Sequence, residues 1–172
     1  LAIGAVACGL GAATKYNAGL SLFPLLSAWI LRTERKATEL IGVLLITGVA
    51  FVIGCPGALL NTNQFVTDIL FEARHVGAGS EQIFTNTIPG YLYHPLVNGP
   101  WVVAYLWPAI GLGLVNIAIR RCRQELIPLA FALPYFLLIG AAQVKFARYA
   151  LPLLPVLAIY TGLLFVRKTN HR

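Results

Sequence analysis

Long apolar runs separated by short polar segments dominate the chain. Apolar stretches cover residues 40–60, 101–119, 126–142 and 150–166, and a longer one covers 1–31. A helix of about 20 residues, rising about 1.5 Å per residue, crosses a hydrocarbon core of about 30 Å, so each shorter stretch has about the length of a membrane span. The pattern therefore predicts an all-α, polytopic transmembrane helix bundle.

The first apolar run is too long for one straight span, and a polar segment from Thr14 to Asn17 interrupts it. We predict one helix over about residues 1–14, a break, and a second helix over about 18–31. A lysine facing hydrocarbon costs roughly 2.5–3.5 kcal/mol. A break that brings Lys15 to the membrane interface would relieve most of that cost.

Basic residues cluster in alternate connections between the apolar runs. The clusters are Arg32, Arg35 and Lys36; Arg120, Arg121 and Arg123; and Arg167, Lys168 and Arg172. Because cytoplasmic loops are enriched in lysine and arginine, these three connections are predicted to be cytoplasmic. The long loop 61–100 and the connector 143–149 then lie on the external side.

The composition agrees with a protein that faces lipid. Its 172 residues are 58% hydrophobic and 11% charged, whereas a soluble domain carries about 25% charged residues. The net charge of +7 lies in the short clusters between apolar runs, so nucleic acid is not expected as a partner. Cys8, Cys55 and Cys122 lack metal-ligand spacing and are expected only to pack. The sequence contains no methionine, so we expect the chain to be a fragment or a processed product.

The external loop 61–100 is predicted to contain a short amphipathic helix. Between Gln64 and His75, apolar residues occupy positions 65, 66, 69 and 70. That spacing places them on one helical face, which suits a helix lying at the membrane interface.

The same loop carries titratable side chains with two interpretations each. Asp68 and Glu72, four residues apart, are expected to form the wet face of the amphipathic helix; alternatively they pair for a divalent metal or for proton transfer. His75 and His94 are expected to be exposed, with a role as ligand or proton carrier as the alternative. These residues leave open whether the protein uses a divalent metal as a cofactor.

Two basic residues lie in the connector that is predicted to be external, although lysine and arginine are enriched in cytoplasmic loops. Their position therefore needs a separate explanation. Lys145 and Arg148, spaced i and i+3, are expected to share one helical face and to bind an anionic group such as a lipid phosphate. The alternative is that both extend to lipid headgroups. Lys15 is either a second phosphate contact or a boundary lysine.

Three segments follow one another along the chain: Gly9-Leu-Gly-Ala-Ala-Thr-Lys-Tyr-Asn17; Phe65-Val-Thr-Asp-Ile-Leu with His75-Val-Gly; and Lys145-Phe-Ala-Arg-Tyr-Ala-Leu-Pro-Leu-Leu-Pro155. Together and in this order they resemble the multi-pass glycosyltransferases of the C-type fold. The resemblance is to the bacterial relatives of dolichyl-phosphate-mannose protein mannosyltransferases and of aminoarabinose lipid A transferases, and it covers the whole chain as the middle to later part of such a domain.

The resemblance implies a bacterial inner-membrane enzyme that moves a sugar from a polyprenyl-phosphate donor to a lipid, protein or glycan acceptor at the external face. Lys15, Lys145 and Arg148 would lie near the donor phosphate and offset charge on the leaving group. Other substrate or loop contacts would come from Tyr149, Asp68, His75 and His94. The family's catalytic aspartate belongs to an earlier external loop, so no catalytic residue is expected in this chain.

Two other classes of protein fit the same pattern. A transporter or flippase of anionic or lipid-linked substrates would share the spans, the broken first segment and the cations at the span ends. A membrane assembly subunit without chemistry would carry the external basic residues incidentally.

Overall fold

In a computed structural model, residues 1–78, 88–98, 107–120 and 123–165 are described, and these ranges contain helices and turns but no strand. We number the α-helices α1 to α9 in chain order: Ala2–Thr14, Leu22–Ile30, Ala37–Gly54, Gly57–Leu60, Thr62–Ala78, Gly90–Tyr93, Trp107–Arg120, Ile127–Ala141 and Leu154–Leu163. Short 3-10 turns at Tyr16–Ser21, Arg123–Leu126, Ala147–Tyr149 and Leu151–Leu153, and a π-turn at His94–Asn98, connect them. The all-α prediction is confirmed.

The break in the first apolar run is present and begins where it was predicted. Lys15 has an extended backbone, with φ −155° and ψ 118°, and its N–H still donates to the Gly11 carbonyl at the end of α1. The Thr14 hydroxyl donates to the same carbonyl at 2.7 Å, the local bond that a threonine side chain forms to the backbone one turn earlier. The second helix begins at Leu22, later than the predicted residue 18, because a 3-10 turn fills the interval.

Helix α1 packs parallel to α3, with the shorter α2 antiparallel beside α1. Gly9 of α1 faces Ala50 of α3, and Gly54 at the end of α3 faces Ala13 at the end of α1. Because Gly9 lacks a side chain, the two helix backbones approach closely there.

The second half of the molecule packs α8 antiparallel to both α2 and α9, with α7 parallel to α9. The Asn116 side chain of α7 donates to the Leu163 carbonyl of α9 at 3.3 Å. The buried Tyr160 of α9 donates its hydroxyl to the Glu125 carbonyl, just before α8, at 2.8 Å. Ile117, Val156 and Tyr160 form the buried core between these helices.

These directions separate the basic residues into two ends. Lys15 follows α1, and the connector from α8 to α9 contains Lys145, Arg148 and Tyr149, so all four residues lie at one end, which we call the Tyr149 end. The opposite end, called the Arg32 end, contains Arg32, Arg35, Lys36 and Arg123. There Arg32 forms an ion pair with Glu39 at 2.8 Å.

Two helical stretches, Ala37–Gly54 and Arg123–Ala141, are long and apolar enough to cross a membrane by length and composition. Only 11% and 17% of their residues are buried inside the molecule, and large apolar side chains such as Leu45 and Ile53 are 63% and 71% exposed. A core helix of a soluble domain would bury most of these side chains. Ala2–Thr14 and Ala147–Leu163 are apolar but shorter, so the larger number of spans stays a prediction.

Several predicted boundaries differ from the structure because of proline. The stretch 40–60 is interrupted at Cys55, and after Pro56 the separate helix α4 begins at Gly57. The last apolar run becomes helical at Leu154, after a 3-10 turn that contains Pro152. Proline disfavours the helical conformation of the residue before it, which explains the interruption at Cys55. Near Pro152 the missing N–H removes a possible α-helical hydrogen bond, and the chain forms a 3-10 turn there.

Some predicted features fall outside the described residues. They include residues 101–106 of one predicted span, residue 166 of another, Arg121, Cys122 and the basic residues from 167 onward. Of the remaining cysteines, Cys8 is buried and Cys55 partly buried, and both are free thiols.

The glycine at the α1–α3 contact provides a test of this packing. In Gly9→Ala, the new Cβ would overlap the Thr47 carbonyl oxygen and lie 2.9 Å from the Phe51 amide nitrogen. Since both are backbone atoms, the helices must separate, and we expect a loss of about 1–3 kcal/mol. Gly48→Ala is the matched control, because nothing lies within 4 Å of its added Cβ. Thermal unfolding in detergent measures both; equal midpoints would contradict the close packing.

Candidate functional site

Tyr149 brings together two cations that are far apart in sequence. The Lys15 ammonium lies 5.6 Å from the centre of the Tyr149 ring, and the Arg148 guanidinium carbon lies 5.9 Å from the same centre. Arg148 also lies 4.6 Å from the Phe146 ring centre. Cations at these distances from a ring are attracted to its face, so the aromatic groups hold both side chains in place.

Both members of this pair, Lys15 and Arg148, are exposed to solvent. Among the residues that the structure describes, no carboxylate lies within ion-pair distance of either charge; the one ion pair found there is Arg32–Glu39 at the opposite end. Two positive charges beside one ring repel each other. An anion bound between them would remove that repulsion and accept charge-assisted hydrogen bonds from both.

The prediction that Lys145 and Arg148 share a helical face is wrong. Helix α8 ends before Ala142, and both Ala142 and Phe146 have extended backbones, with ψ 139° and 140°. Only Ala147–Tyr149 forms a turn, of the 3-10 type. The i, i+3 spacing therefore does not set the relative directions of the two side chains.

Lys145 lies in a different environment from the exposed pair. Its side chain is 2% exposed, its ammonium donates to the Gln143 carbonyl at 3.2 Å, and the Tyr93 ring centre lies 5.9 Å away. A buried ammonium is costly unless polar groups surround it. Lys145 therefore supplies a fixed positive charge behind the connector rather than a mobile cation at its surface.

His94 is buried beside Lys145, so the expectation that it would be exposed is wrong. It is 3% exposed and follows α6, which packs on the end of α8 through glycines. A Cβ on Gly90 would lie 2.5 Å from the Gly140 carbonyl oxygen, and Tyr91 donates its hydroxyl to the Leu137 carbonyl at 3.3 Å. Because α6 and α8 approach so closely, His94 is buried next to the connector between α8 and α9. No local sequence pattern indicates this burial.

The burial of His94 predicts a dependence of stability on pH. Burial lowers the pKa of His94 from 6.5; the backbone bond at Ile139 opposes this, and the Lys145 charge adds to it. Below pH 6.5 the unfolded histidine binds a proton that the folded one does not, so stability falls as the pH drops through that value. We expect the thermal midpoint to decrease between about pH 7.5 and about pH 5.5.

Substitutions of the two histidines check this expectation. His94→Gln removes the titrating group and should flatten the decrease. His75→Gln should leave it unchanged, because His75 is exposed and stacks on the Phe71 ring with 6.1 Å between centres. An unchanged pH profile in His94→Gln would show that another group causes the decrease.

Helix α5 is longer than the predicted amphipathic helix and extends from Thr62 to Ala78. Near its start, the Phe65 ring packs edge-on against Tyr16 at 6.2 Å and Phe51 at 6.1 Å. Near its end, the Val76 carbonyl accepts a hydrogen bond from the Gln143 N–H at 3.0 Å. The helix is therefore attached to the Tyr149 end at two points.

The acidic residues of α5 are exposed, as expected for its wet face. Asp68 accepts a hydrogen bond from the Gln64 side chain at 2.8 Å, and Glu72 is exposed one turn further along. Within the described ranges, no group of three or more histidine, cysteine and acidic residues could hold a metal ion. The roles of Asp68 and His75 as substrate or loop contacts stay predictions.

Tyr135 is a polar contact of the site that the sequence interpretation missed. It is 2% exposed and donates its hydroxyl to the Tyr149 carbonyl at 2.9 Å. A tyrosine inside an apolar span was the available signal, because a buried hydroxyl usually has a partner.

Comparison of the chain with protein-family models, curated proteins and solved structures finds no match in any of the three. The charges, distances and burial at the Tyr149 end are therefore the observations that bear on function.

Proposed function

We propose that the chain is a multi-pass bundle of the plasma (inner) membrane, with the Tyr149 end on the external side. Two candidate spans and the exposed apolar side chains support the membrane assignment. The alternating helix directions separate Lys15 and Arg148 from the basic residues of the Arg32 end. The enrichment of lysine and arginine in cytoplasmic loops supports placing the Arg32 end inside.

Labelling of single cysteines tests this orientation. Cysteines at Asn63 of α5 and at Thr33, both exposed, are introduced after Cys8, Cys55 and Cys122 have been replaced by alanine or serine. In intact cells, a membrane-impermeant thiol reagent should modify the cysteine at 63 and reach the one at 33 only after lysis. The reverse pattern would place Tyr149 inside and contradict the proposal.

We further propose that the Tyr149 end binds the phosphate of a polyprenyl-phosphate-linked sugar, as part of a membrane glycosyltransferase. The observation that carries this proposal is the pair of exposed cations Lys15 and Arg148. They are far apart in the sequence, but both lie within 6 Å of the centre of the Tyr149 ring. Lys145, buried in the same connector as Arg148, adds a third positive charge at this end. The resemblance of the three segments to C-type glycosyltransferases supplies the reaction.

The chemistry of such a transfer explains why cations are needed. An acceptor hydroxyl or amine attacks the anomeric carbon of the sugar, and the bond from that carbon to the phosphate oxygen breaks with inversion. The electron pair stays on the polyprenyl phosphate, which leaves with one more negative charge. Fixed cations beside that oxygen stabilise the developing charge and so lower the barrier. The base that removes the acceptor's proton is not assigned to a residue of this chain.

Release of free polyprenyl phosphate from a sugar-linked donor tests the transferase proposal. The full-length protein, with the earlier external loop in which the catalytic aspartate is expected, is reconstituted in vesicles with polyprenyl-phosphate hexose or pentose donors and a membrane extract as acceptor source. We expect acceptor-dependent release of polyprenyl phosphate together with sugar on the acceptor. Donor that remains intact with every sugar would contradict transferase activity.

Transport of a lipid-linked substrate is the second candidate, and the broken helix at Lys15 favours it. Non-helical backbone between helices lines the substrate sites of many transporters, and Lys15 is extended between α1 and the following turn. The two functions differ in product. A transporter would move intact donor between the leaflets of the vesicle, whereas a transferase would split it.

A further inference from the structure

Helix α5 reaches from one cation-bearing segment of the Tyr149 end to the other. Its partly buried residues are Phe65, Ile69 and Val76, and their spacing of i, i+4 and i+11 places them on one face of the helix. The other residues of α5 whose side chains are described are exposed. The helix therefore lies against the bundle along this face.

The first end of α5 contacts the segment that contains Lys15. The Phe65 ring lies edge-on to the ring of Tyr16, the residue after Lys15, with 6.2 Å between centres. It also lies edge-on to Phe51 of α3 at 6.1 Å. Such aromatic pairs contribute about 0.5–1.5 kcal/mol beyond the area that they bury. Phe65 thus connects the backbone beside Lys15 to both α3 and α5.

The second end of α5 contacts the connector that contains Lys145 and Arg148. The Gln143 N–H donates to the Val76 carbonyl at 3.0 Å. The Gln143 carbonyl accepts a hydrogen bond from the Lys145 ammonium at 3.2 Å. Gln143 therefore connects the end of α5 to the buried ammonium through its own N–H and carbonyl.

These contacts form a closed path that includes the Tyr149 ring. Lys15 lies 5.6 Å from that ring centre, Tyr149 belongs to the same connector as Gln143, and α5 leads from Gln143 back to Tyr16. At about 1.5 Å per residue, the helix covers roughly 16 Å between its two contacts. Because a helix bends only gently over such a length, α5 can fix the separation of the two segments.

We propose that α5 is a strut between the break after α1 and the connector from α8 to α9. Phe65 is the positioning residue at its first end and keeps Lys15 on the Tyr149 ring. The consequence for affinity rests on the proposed phosphate-binding function, whereas the strut itself can be measured without ligand. Cations that are held in place before a ligand arrives lose less freedom on binding, so the site binds more tightly.

Phe65→Leu releases the first end of the strut, and Phe71→Leu is its matched control. Leucine keeps an apolar side chain at either position and removes only the ring. Phe71 belongs to the same helix, but it is 65% exposed and stacks on His75 of α5 itself. Only Phe65→Leu should therefore change the contact with Tyr16.

Ligand-free hydrogen exchange of the full-length protein in nanodiscs is the first readout. Peptides covering residues 14–21 and 140–150 should both exchange faster in Phe65→Leu, because a strut released at one end also moves at the other. Both peptides should exchange as in the wild type in Phe71→Leu. Faster exchange of 14–21 alone would show a local ring contact and overturn the strut, and unchanged exchange of both peptides would overturn it as well.

The second readout is the affinity for farnesyl phosphate, with farnesol and inorganic phosphate as separate arms that distinguish a lipid-borne from a free phosphate. We expect Phe65→Leu to weaken farnesyl phosphate binding about three- to tenfold and Phe71→Leu to weaken it less than about twofold. Equal losses in the two variants would overturn the positioning role of Phe65.

Tyr16 allows a conservative check of the ring contact. Tyr16→Phe keeps the ring beside Phe65 and should bind farnesyl phosphate as the wild type does, whereas Tyr16→Leu should weaken binding. The loss in the double variant Tyr16→Leu, Phe65→Leu should be smaller than the sum of the single losses, because both changes remove the same contact. Additive losses would overturn the role of this contact.

Thr67→Gly softens the strut between its ends, with Thr67→Ala as the matched control. Thr67 is exposed between Phe65 and Val76, and its hydroxyl donates within the helix to the Asn63 carbonyl at 2.8 Å. Both variants lose that hydroxyl, but glycine is about 1 kcal/mol less favourable than alanine in a helix. We expect Thr67→Gly to weaken farnesyl phosphate binding about two- to fivefold relative to Thr67→Ala. Equal affinities of the two variants would overturn the strut.

The arms separate the strut from the function on which its consequence rests. A wild-type protein that binds farnesol as well as farnesyl phosphate would overturn the phosphate site, and the ligand-free hydrogen exchange would then decide the strut alone. Preferential binding of farnesyl phosphate together with wild-type exchange in Phe65→Leu would support the phosphate site and overturn the strut.

Discussion

In the full-length protein, replacing Arg148 by alanine is expected to lower sugar transfer from a polyprenyl-phosphate donor by about 10- to 100-fold while membrane insertion stays intact. The guanidinium is exposed in the connector between α8 and α9 and held by the Phe146 and Tyr149 rings at 4.6 and 5.9 Å. A charge-assisted hydrogen bond to the phosphate contributes about 1.5–3 kcal/mol, which corresponds to that range of rates. Lys15→Ala should act in the same direction, since it removes the other exposed cation on the ring.

Arg123→Ala is the matched control for this loss. Arg123 is an exposed arginine in a 3-10 turn at the Arg32 end, so its removal changes the net charge equally without touching Tyr149. Transfer is followed as polyprenyl phosphate released per unit of inserted protein. Equal rates in wild type, Arg148→Ala and Lys15→Ala would remove the phosphate role, and an equal loss in Arg123→Ala would point to a general effect of charge.

Removal of the buried Lys145 charge is expected to reduce transfer by about tenfold or more. A fixed positive charge about 8 Å from a phosphate, at an effective dielectric of about 20, is worth roughly 2 kcal/mol. Because the side chain is 2% exposed, little water screens this interaction. Lys145→Ala removes the charge but also leaves a cavity, which makes its loss of activity difficult to assign.

Lys145→Met separates charge from packing. Methionine fills a similar volume without the ammonium, and apolar replacement of a buried charge is often neutral for stability, although the Gln143 carbonyl loses its donor at 3.2 Å. We expect the thermal midpoint of Lys145→Met to lie within a few degrees of the wild-type value. Sugar transfer should still be reduced by about tenfold or more, because the charge is gone. Wild-type transfer in a folded Lys145→Met variant would assign Lys145 a purely structural role.

The helices and the break at Lys15 could be predicted because each depends on local sequence. Long apolar runs give helices, and the polar residues from Thr14 to Asn17 end the first of them within one residue of the prediction. The starts of α2 and α9 were placed too early. There the chain forms 3-10 turns at Tyr16–Ser21 and Leu151–Leu153, and hydrophobicity does not distinguish these turns from α-helix.

The site was predicted only in part, because its contacts join distant segments. The sequence indicated Lys15 and Arg148 separately, through their positions at span ends, but it could not show that one tyrosine ring lies between them. It also gave no sign that Lys145 would be buried. That burial depends on helix α6, which packs closely against Gly140 of α8. As a result Tyr93 and His94 lie next to the connector, and the Tyr93 ring contacts Lys145.

Direct binding of farnesyl phosphate to the protein in phosphatidylcholine nanodiscs is the measurement closest to the central claim. The account predicts that farnesyl phosphate binds at least about tenfold more tightly than farnesol, and that this preference disappears in the Lys15→Ala, Arg148→Ala double variant. Equal affinities of the wild type for the phosphate and the alcohol would contradict a phosphate site at Tyr149.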